Sequence, residues 1–164
     1  MGKVPEGPMR VLTVGDGDLS YSLALARAFG ARIQLTATVL VPEEELVATY
    51  AAAGRALAEL RQRGVRFQAG VDATALQDAE PPIGPQDHIV FNHPHLGLAD
   101  LTDEAAHARR HGTLISHYLH SAAAMLAAGG LVHLTLCGHQ PSTWQAEPRG
   151  ARVGLSLVQA RATT

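Results

Sequence analysis

The chain has 164 residues, 13 Lys+Arg against 15 Asp+Glu for a formal charge of -2, nine histidines and one cysteine. That length makes one domain with a core of its own, 1–164, so folding requires neither a disulfide nor a metal, and Cys137 has no partner for an internal disulfide. Every apolar run is too short for a membrane span, the N-terminal MGKVPEGPMR lacks a secretory h-region, and no Lys/Arg block supplies a nucleic-acid footprint, so a reducing, intracellular home without membrane contact is expected.

Residues 1–8 read as a flexible N-terminus. Arg10 to Val14 is short, β-branched and followed by Gly15, which predicts a buried strand. From Leu19 the spacing becomes helical, with Leu23, Ala26 and Phe29 near one face and Gly30 as the stop. Ile33 to Leu40 is a second strand. Pro42 followed by Glu43, Glu44 and Glu45 opens a helix, since proline suits the first turn and carboxylates suit the positive dipole end. It runs to Arg63, with candidate breaks near Tyr50 or Gly54. Val65 to Val71 is a third strand, and a Pro/Gly loop from Pro81 leads to a fourth at His88 to Phe91.

Thr102 to Ala128 reads as helix, with Gly112 a candidate break, and Gly129-Gly130 closes it. Leu131 to Leu136 is a fifth strand, and the weak alternation from Val153 to Ala160 gives a sixth candidate. Strands alternating with helices predict an α/β fold: a mostly parallel sheet with helices on both faces. Ligands of such sheets sit at the carboxyl ends of the strands, so the residues following each strand are the informative ones.

After the first strand comes Gly15-Asp16-Gly17-Asp18. Glycines permit a sharp turn and close ligand approach, and the next helix offers free N–H groups to an anion. A ligand carboxylate suits those amides, and Asp16 or Asp18 suits an ammonium. The plain alternative is a strand-to-helix turn with Asp18 as N-cap. A dinucleotide fingerprint would need glycine at Ser20, and two aspartates would repel a diphosphate, so a zwitterionic or cationic ligand is favoured. After the third strand, Asp72 in Gly70-Val71-Asp72-Ala73-Thr74 can accept from an adenine amino group or simply cap its own turn. After the fourth, Phe91-Asn92-His93-Pro94-His95-Leu96-Gly97 is a proline-stiffened polar loop able to orient a nitrogen nucleophile and take its proton.

Taken in order, Val14-Gly15-Asp16-Gly17-Asp18-Leu19-Ser20-Tyr21-Ser22 with Leu25-Ala26, then Gly70 to Thr74, Asp87 to Gly97, and Gly129 to Leu136 leading to Gln140-Pro141 and Trp144, form a pattern covering residues 10 to about 144. This pattern resembles the ribosomal-RNA uridine-N3 methyltransferases, whose module also stands at the N-terminal end of proteins with a ferredoxin-fold anticodon-binding domain. The resemblance implies a Rossmann-like class I S-adenosylmethionine-dependent methyltransferase fold, with S-adenosylmethionine seated around Gly15, Asp16, Gly17, Asp18 and Ser20, and Asp72 and Ala73 near the adenine. It also implies Asn92, His93 and His95 as catalytic residues facing a uridine. The implied partner is RNA, single-stranded or with the uridine flipped out, gripped through Arg109 and Arg110 or through an additional RNA-binding domain or partner. The implied compartment is the cytoplasm, or the nucleus or nucleolus of a eukaryote.

Three departures accompany the resemblance. Val41 stands where the family commonly carries an aspartate for the ribose, with Glu43 or Glu44 as candidate substitutes; His93 replaces a usual aromatic; and the fold implied extends beyond residue 160, so a C-terminally shortened sheet is expected. Two other readings stay open: a Rossmann-like binding module without turnover, and a nicotinamide-dependent oxidoreductase. Histidine sets at His88/His93/His95, His107/His111 and His117/His120 have metal-compatible spacing, but no cysteine or glutamate motif accompanies them, and no metal is assigned.

Overall fold

Side chains alternate across a strand, and in the computed structural model, which describes residues 7–96 and 103–162, that alternation sorts the apolar residues into two cores. Val11 of β1 (Met9–Val14) and Val90 of β4 (Gln86–Asn92) face one side of the sheet, while Leu12, Val14, Ile89 and Phe91 face the other. On the first side lie α1 (Ser20–Phe29), α2 (Glu43–Thr49) and α3 (Ala53–Gln62), which bury Ala26, Leu46, Ala56, Leu57 and Leu60 against β1 and β2 (Ile33–Thr38). On the second, α4 (Glu104–Met125) brings Ile115, Tyr118, Leu119 and Ala122 onto the sheet.

With β3 (Arg66–Gln68) and β5 (Leu126–Thr135), the sheet has five parallel strands in the order β3-β2-β1-β4-β5. The α/β prediction therefore holds: a mostly parallel sheet covered on both faces. The chain builds outward from β1 to β3 and then returns to lay β4 on the other side of β1. The two central strand ends, after Val14 and Asn92, flank the point where the winding reverses.

Several boundaries differ from the sequence reading for identifiable reasons. The stretch 42–63 is two helices, broken where Tyr50 turns extended (φ -117°, ψ 111°). Gly112 does not split α4; a Cβ there would lie 2.6 Å from Arg149 Nη2, so the glycine makes room for a guanidinium from α6 (Ala146–Arg152). α4 ends at Met125 and the chain passes straight into β5, where Leu126 already pairs with Gln86. The excess length is absorbed at Gly129 (φ +76°) and Gly130, with His88 pairing Leu131. The expected sixth strand at 153–160 is absent: after α6 and Gly154 the chain is irregular, with Leu157 and Val158 exposed, and β5 is an edge of the sheet. Among the described residues no helix is long and apolar enough to cross a membrane.

At the amino end of the sheet, Arg10 ties β1 to β4: its backbone N–H and Nε donate to Asp87 Oδ2 at 2.8 and 3.1 Å, and Nη2 donates to Oδ1 at 2.9 Å. These bonds hold the Asp87 carboxyl at about 2, below the ordinary 3.8. A depressed carboxyl stabilises the fold above its unfolded pKa and loses that contribution as pH falls through the folded value. Asp87→Asn is therefore expected to flatten the loss of urea midpoint between about pH 4 and pH 2, leaving the residual slope that Glu59, also held at about 2 by Arg27 and Arg63, provides. An unchanged acid limb would show that the pair contributes nothing measurable.

Candidate active site

The turn out of β1 requires a glycine first. Gly15 has φ +61°, and a Cβ on it would fall 2.7 Å from Phe91 Cε2, so strand four's aromatic ring packs directly on the turn's backbone. Leu19, fully buried, closes the turn in the left-handed region (φ 65°) with its N–H on Asp16 O at 3.2 Å, and its carbonyl accepts Leu23 N–H as α1 begins. The hydroxyls of Thr13 and Ser22 meet at 2.7 Å beneath the turn, joining β1 to α1.

Both aspartates are turned onto the helix start. Asp18 Oδ1 accepts Ser20 N–H at 3.0 Å and Asp16 Oδ2 accepts Ser22 N–H at 2.7 Å. Leu19, not Asp18, is the residue at the N-cap. Two of the amides expected to hold a ligand carboxylate are thus already satisfied by the chain itself, and the loop presents acid to the cleft. Burial pushes the Asp16 carboxyl up against the lowering effect of Ser22's hydrogen bonds, with Asp18 adding to the rise, whereas the Ser20 bonds bring Asp18 down.

Beside this turn lies a cleft of about 440 Å³, within the usual range for small-molecule and cofactor sites. Its walls are Thr13 to Gly17 from the β1 end, Ser20 and Tyr21 from α1, Val90, Asn92 and His93 from β4, and Thr135 from the end of β5. Asn92 Oδ1 accepts Thr135 Oγ1–H at 2.7 Å, which leaves the Asn92 amide N–H groups as donors. His93 sits at φ 48°, its N–H on Thr135 O at 2.9 Å and its Nδ1 3.2 Å from Cys137 Sγ. Backbone strain at a polar strand end is common where a side chain is aimed at a ligand.

The cleft gathers Gly15, Asp16, Gly17, Ser20, Asn92 and His93, and its lining does not include Asp18, Asp72, Ala73 or His95. Asp72 Oδ1 accepts both Thr74 N–H (2.8 Å) and Thr74 Oγ1–H (2.7 Å), the local cap foreseen as its plain reading. His95 lies against α4, its ring centroid 4.7 Å from His111 and 5.8 Å from His107. Gly97 and Thr102 lie outside the described residues. Val41 is partly buried against the α1–α3 core, and Glu43 is spent on Arg61 at 2.8 Å, so Glu43 does not replace the missing carboxylate.

The sequence reading missed Thr135, Cys137 and Tyr50. The strand-end rule that found Asn92 applies equally to Thr135 at the end of β5. No periodicity announces Tyr50, whose hydroxyl reaches over Gly17 from the break between α2 and α3.

Comparison with known proteins agrees with this geometry. A family model described as rRNA (uridine-N3-)-methyltransferase BTM5-like matches residues 12–162. An uncharacterized Arabidopsis thaliana protein, At4g26485, is 34% identical over 92% of this chain and 74% of its own. The human ferredoxin-fold anticodon-binding domain-containing protein 1 is 36% identical over 87% of this chain but only 22% of its own. The crystal structure of TrmN from Thermus thermophilus superposes with a TM-score of 0.60 at 26% identity, covering 85% of this chain and 36% of that one. The chain spans between 22% and 74% of the length of the curated relatives it matches. With the turn, the strand order and the match over residues 12–162 in agreement, the chain belongs to the rRNA (uridine-N3-)-methyltransferase BTM5-like family.

Proposed function

We propose that the protein is an S-adenosylmethionine-dependent methyltransferase acting on N3 of a uridine in ribosomal RNA. The observation that carries this reading is a desolvated carboxylate, Asp16, on a glycine turn that shares one cleft with the donor face of Asn92 and the ring of His93. The residues fit the cofactor: Gly15 and Gly17 keep the turn free of side chains, and Asp16 suits an ammonium in a loop whose acid would repel a diphosphate. When bound, S-adenosylmethionine supplies an electrophilic methyl group on a sulfonium.

The chain's own residues then have two tasks. Asn92 donates to a uracil carbonyl oxygen, orienting the base and stabilising the charge that grows there as N3–H is lost. His93 takes the N3 proton through Nε2, its Nδ1 being held at Cys137 Sγ. N3 of a paired uridine is occupied, so the target is unpaired or flipped out, and RNA grip beyond the cleft falls to Arg109 and Arg110 or to another domain.

Asp16→Asn tests the seat. The amide oxygen keeps the bond to Ser22 N–H while the desolvated charge disappears. A raised carboxyl pKa means the folded state loses stability as pH rises through it, so at neutral pH the variant should be as stable as the parent or more so. Its affinity for S-adenosylhomocysteine, measured by calorimetry, should nonetheless fall at least about tenfold as the ammonium loses its counter-charge. Equal affinity would make Asp16 a helix cap only, and stabilisation by NADH instead would overturn the cofactor. Nucleoside mass spectrometry of ribosomal RNA incubated with protein and labelled cofactor then reads 3-methyluridine directly; cofactor binding without product favours the binding module.

A further inference from the structure

We propose that His95, His107 and His111 form a binding site for one divalent transition-metal ion of the zinc class, with a fourth ligand position open to water. His107 and His111 stand one turn apart on α4 with ring centroids 4.0 Å apart, and His95 is brought to them by the loop after β4. One ring nitrogen from each lies within 4.8 Å of the other two. Tetrahedral zinc with Zn–N of about 2.0–2.1 Å needs these nitrogens about 3.3 Å apart, so the set must contract by no more than about 1.5 Å. The side chains able to supply that movement are the exposed His95 and the half-buried His107.

The third ligand is fixed in advance. His111 is buried, its Nδ1–H donates to His107 O at 3.0 Å, and its ring stacks on Trp144 at 4.5 Å with 20° between planes. That bond sets the tautomer and leaves the Nε2 lone pair for a cation, the outer-shell arrangement usual for metal-binding histidines. Among the described residues Nε2 accepts the long 3.3 Å contact from Leu96 N–H, which the ion would displace.

Three neutral imidazoles with no carboxylate among them select borderline ions such as Zn²⁺, Cu²⁺ and Co²⁺ over Mg²⁺ and Ca²⁺. None of the sets compatible with spacing in the sequence predicted this group, because His95 and the α4 pair meet only in the fold. His93 lines the cleft two residues before His95, so the ion would pin the loop after β4 to α4. The site stands independently of the proposed methyl transfer.

Trp144 is the sole tryptophan, so its emission reports on His111 directly. Tag-free protein stripped with chelator is titrated with Zn²⁺ by calorimetry and with Co²⁺ or Cu²⁺ by Trp144 fluorescence. One ion per chain is expected, with more than half of the emission quenched by the paramagnetic ions. His95→Gln and His107→Gln, the first on an exposed side chain, should each weaken binding at least about a hundredfold, with circular dichroism checking the fold. His117→Gln/His120→Gln, an exposed pair on the same helix, should leave binding unchanged. Absence of quenching, or affinity unaltered by His95→Gln with circular dichroism unchanged, overturns the site and leaves the rings as an aromatic stack on Trp144.

Discussion

Asn92→Asp is expected to lower the turnover of methyl transfer by about 10²–10³-fold, the usual cost of one preorganised donor lost from a developing oxyanion, with the dissociation constant for S-adenosylhomocysteine changed less than about threefold. The substitution is nearly isosteric and retains an oxygen to accept the Thr135 hydroxyl, now at 2.7 Å, so the strand ends stay joined. What changes is the face turned to the cleft: two N–H donors become a carboxylate oxygen, which would repel the carbonyls of the proposed uracil substrate. The loss should appear mainly in kcat, because in the proposed reaction the interaction strengthens as N3 gives up its proton. Thr135→Val is the companion. It removes the hydroxyl that dictates which way the Asn92 amide faces while leaving the Asn92 N–H donors chemically present, so it should reduce kcat by a smaller factor. Single-turnover methylation with bound RNA checks both, and Asn92→Asp turnover within threefold of the parent would remove Asn92 from the reacting base.

The sheet was readable because its signals are short-range. Short apolar runs mark β1, β2, β4 and the second half of β5, the first of them closed by Gly15, and the helical spacing from Leu19 marks α1. The winding rule then places the cleft after β1 and β4. The failures are tertiary. Gly112 and Gly129-Gly130 look alike in sequence as breaks, but the first gives space to Arg149 inside an unbroken helix and the others form a bulge within a strand already paired from Leu126. The apolar residues of 153–160 alternate like a strand, yet Val153 and Leu155 pack only partly against the core under α4, Leu157 and Val158 stay exposed, and none pairs with a strand among the described residues.

The site divides the same way. Residue types placed Asn92 and His93 at a strand end, but whether Asp16 and Asp18 face a ligand or their own helix depends on the turn's dihedral angles. The turn uses both on α1, and the helix-terminal amides first assigned to a ligand carboxylate are partly occupied. His95 shows the limit most clearly. Its neighbours along the chain suggest a base in the cleft, while its neighbours in space are two histidines of α4.

Gly15→Ala should be the most disruptive single methyl in the molecule. Two costs fall on one atom. A side chain at φ +61° carries strain of about 1–3 kcal/mol. The new Cβ would also sit 2.7 Å from Phe91 Cε2, and overpacking of this kind costs about 1–3 kcal/mol more. The ring cannot retreat cheaply: Phe91 is buried and meets Tyr118 edge-on at 5.0 Å, and Tyr118 is itself fully enclosed under α4. For a chain of this size the combined loss corresponds to a fall in melting temperature of roughly 5–15 °C. Cofactor affinity should fall with it, since the shifted backbone forms the cleft wall.

Gly17→Ala is the control two residues on. Among the described residues its Cβ would meet the tip of Tyr50, with the hydroxyl at 3.2 Å and Cζ at 3.6 Å, the end of an exposed side chain free to swing aside, and no positive φ is imposed. Its melting temperature should stay within about 2 °C of the parent, in the range of substitutions that touch no special feature. Phe91→Leu, combined with Gly15→Ala, should recover the steric share but not the dihedral share, so the double variant is less destabilised than the sum of the singles yet still below Phe91→Leu alone. Equal melting temperatures for Gly15→Ala and Gly17→Ala would mean that the ring, not the glycine, yields, and that the turn is less constrained than the packing of Phe91 on Gly15 requires.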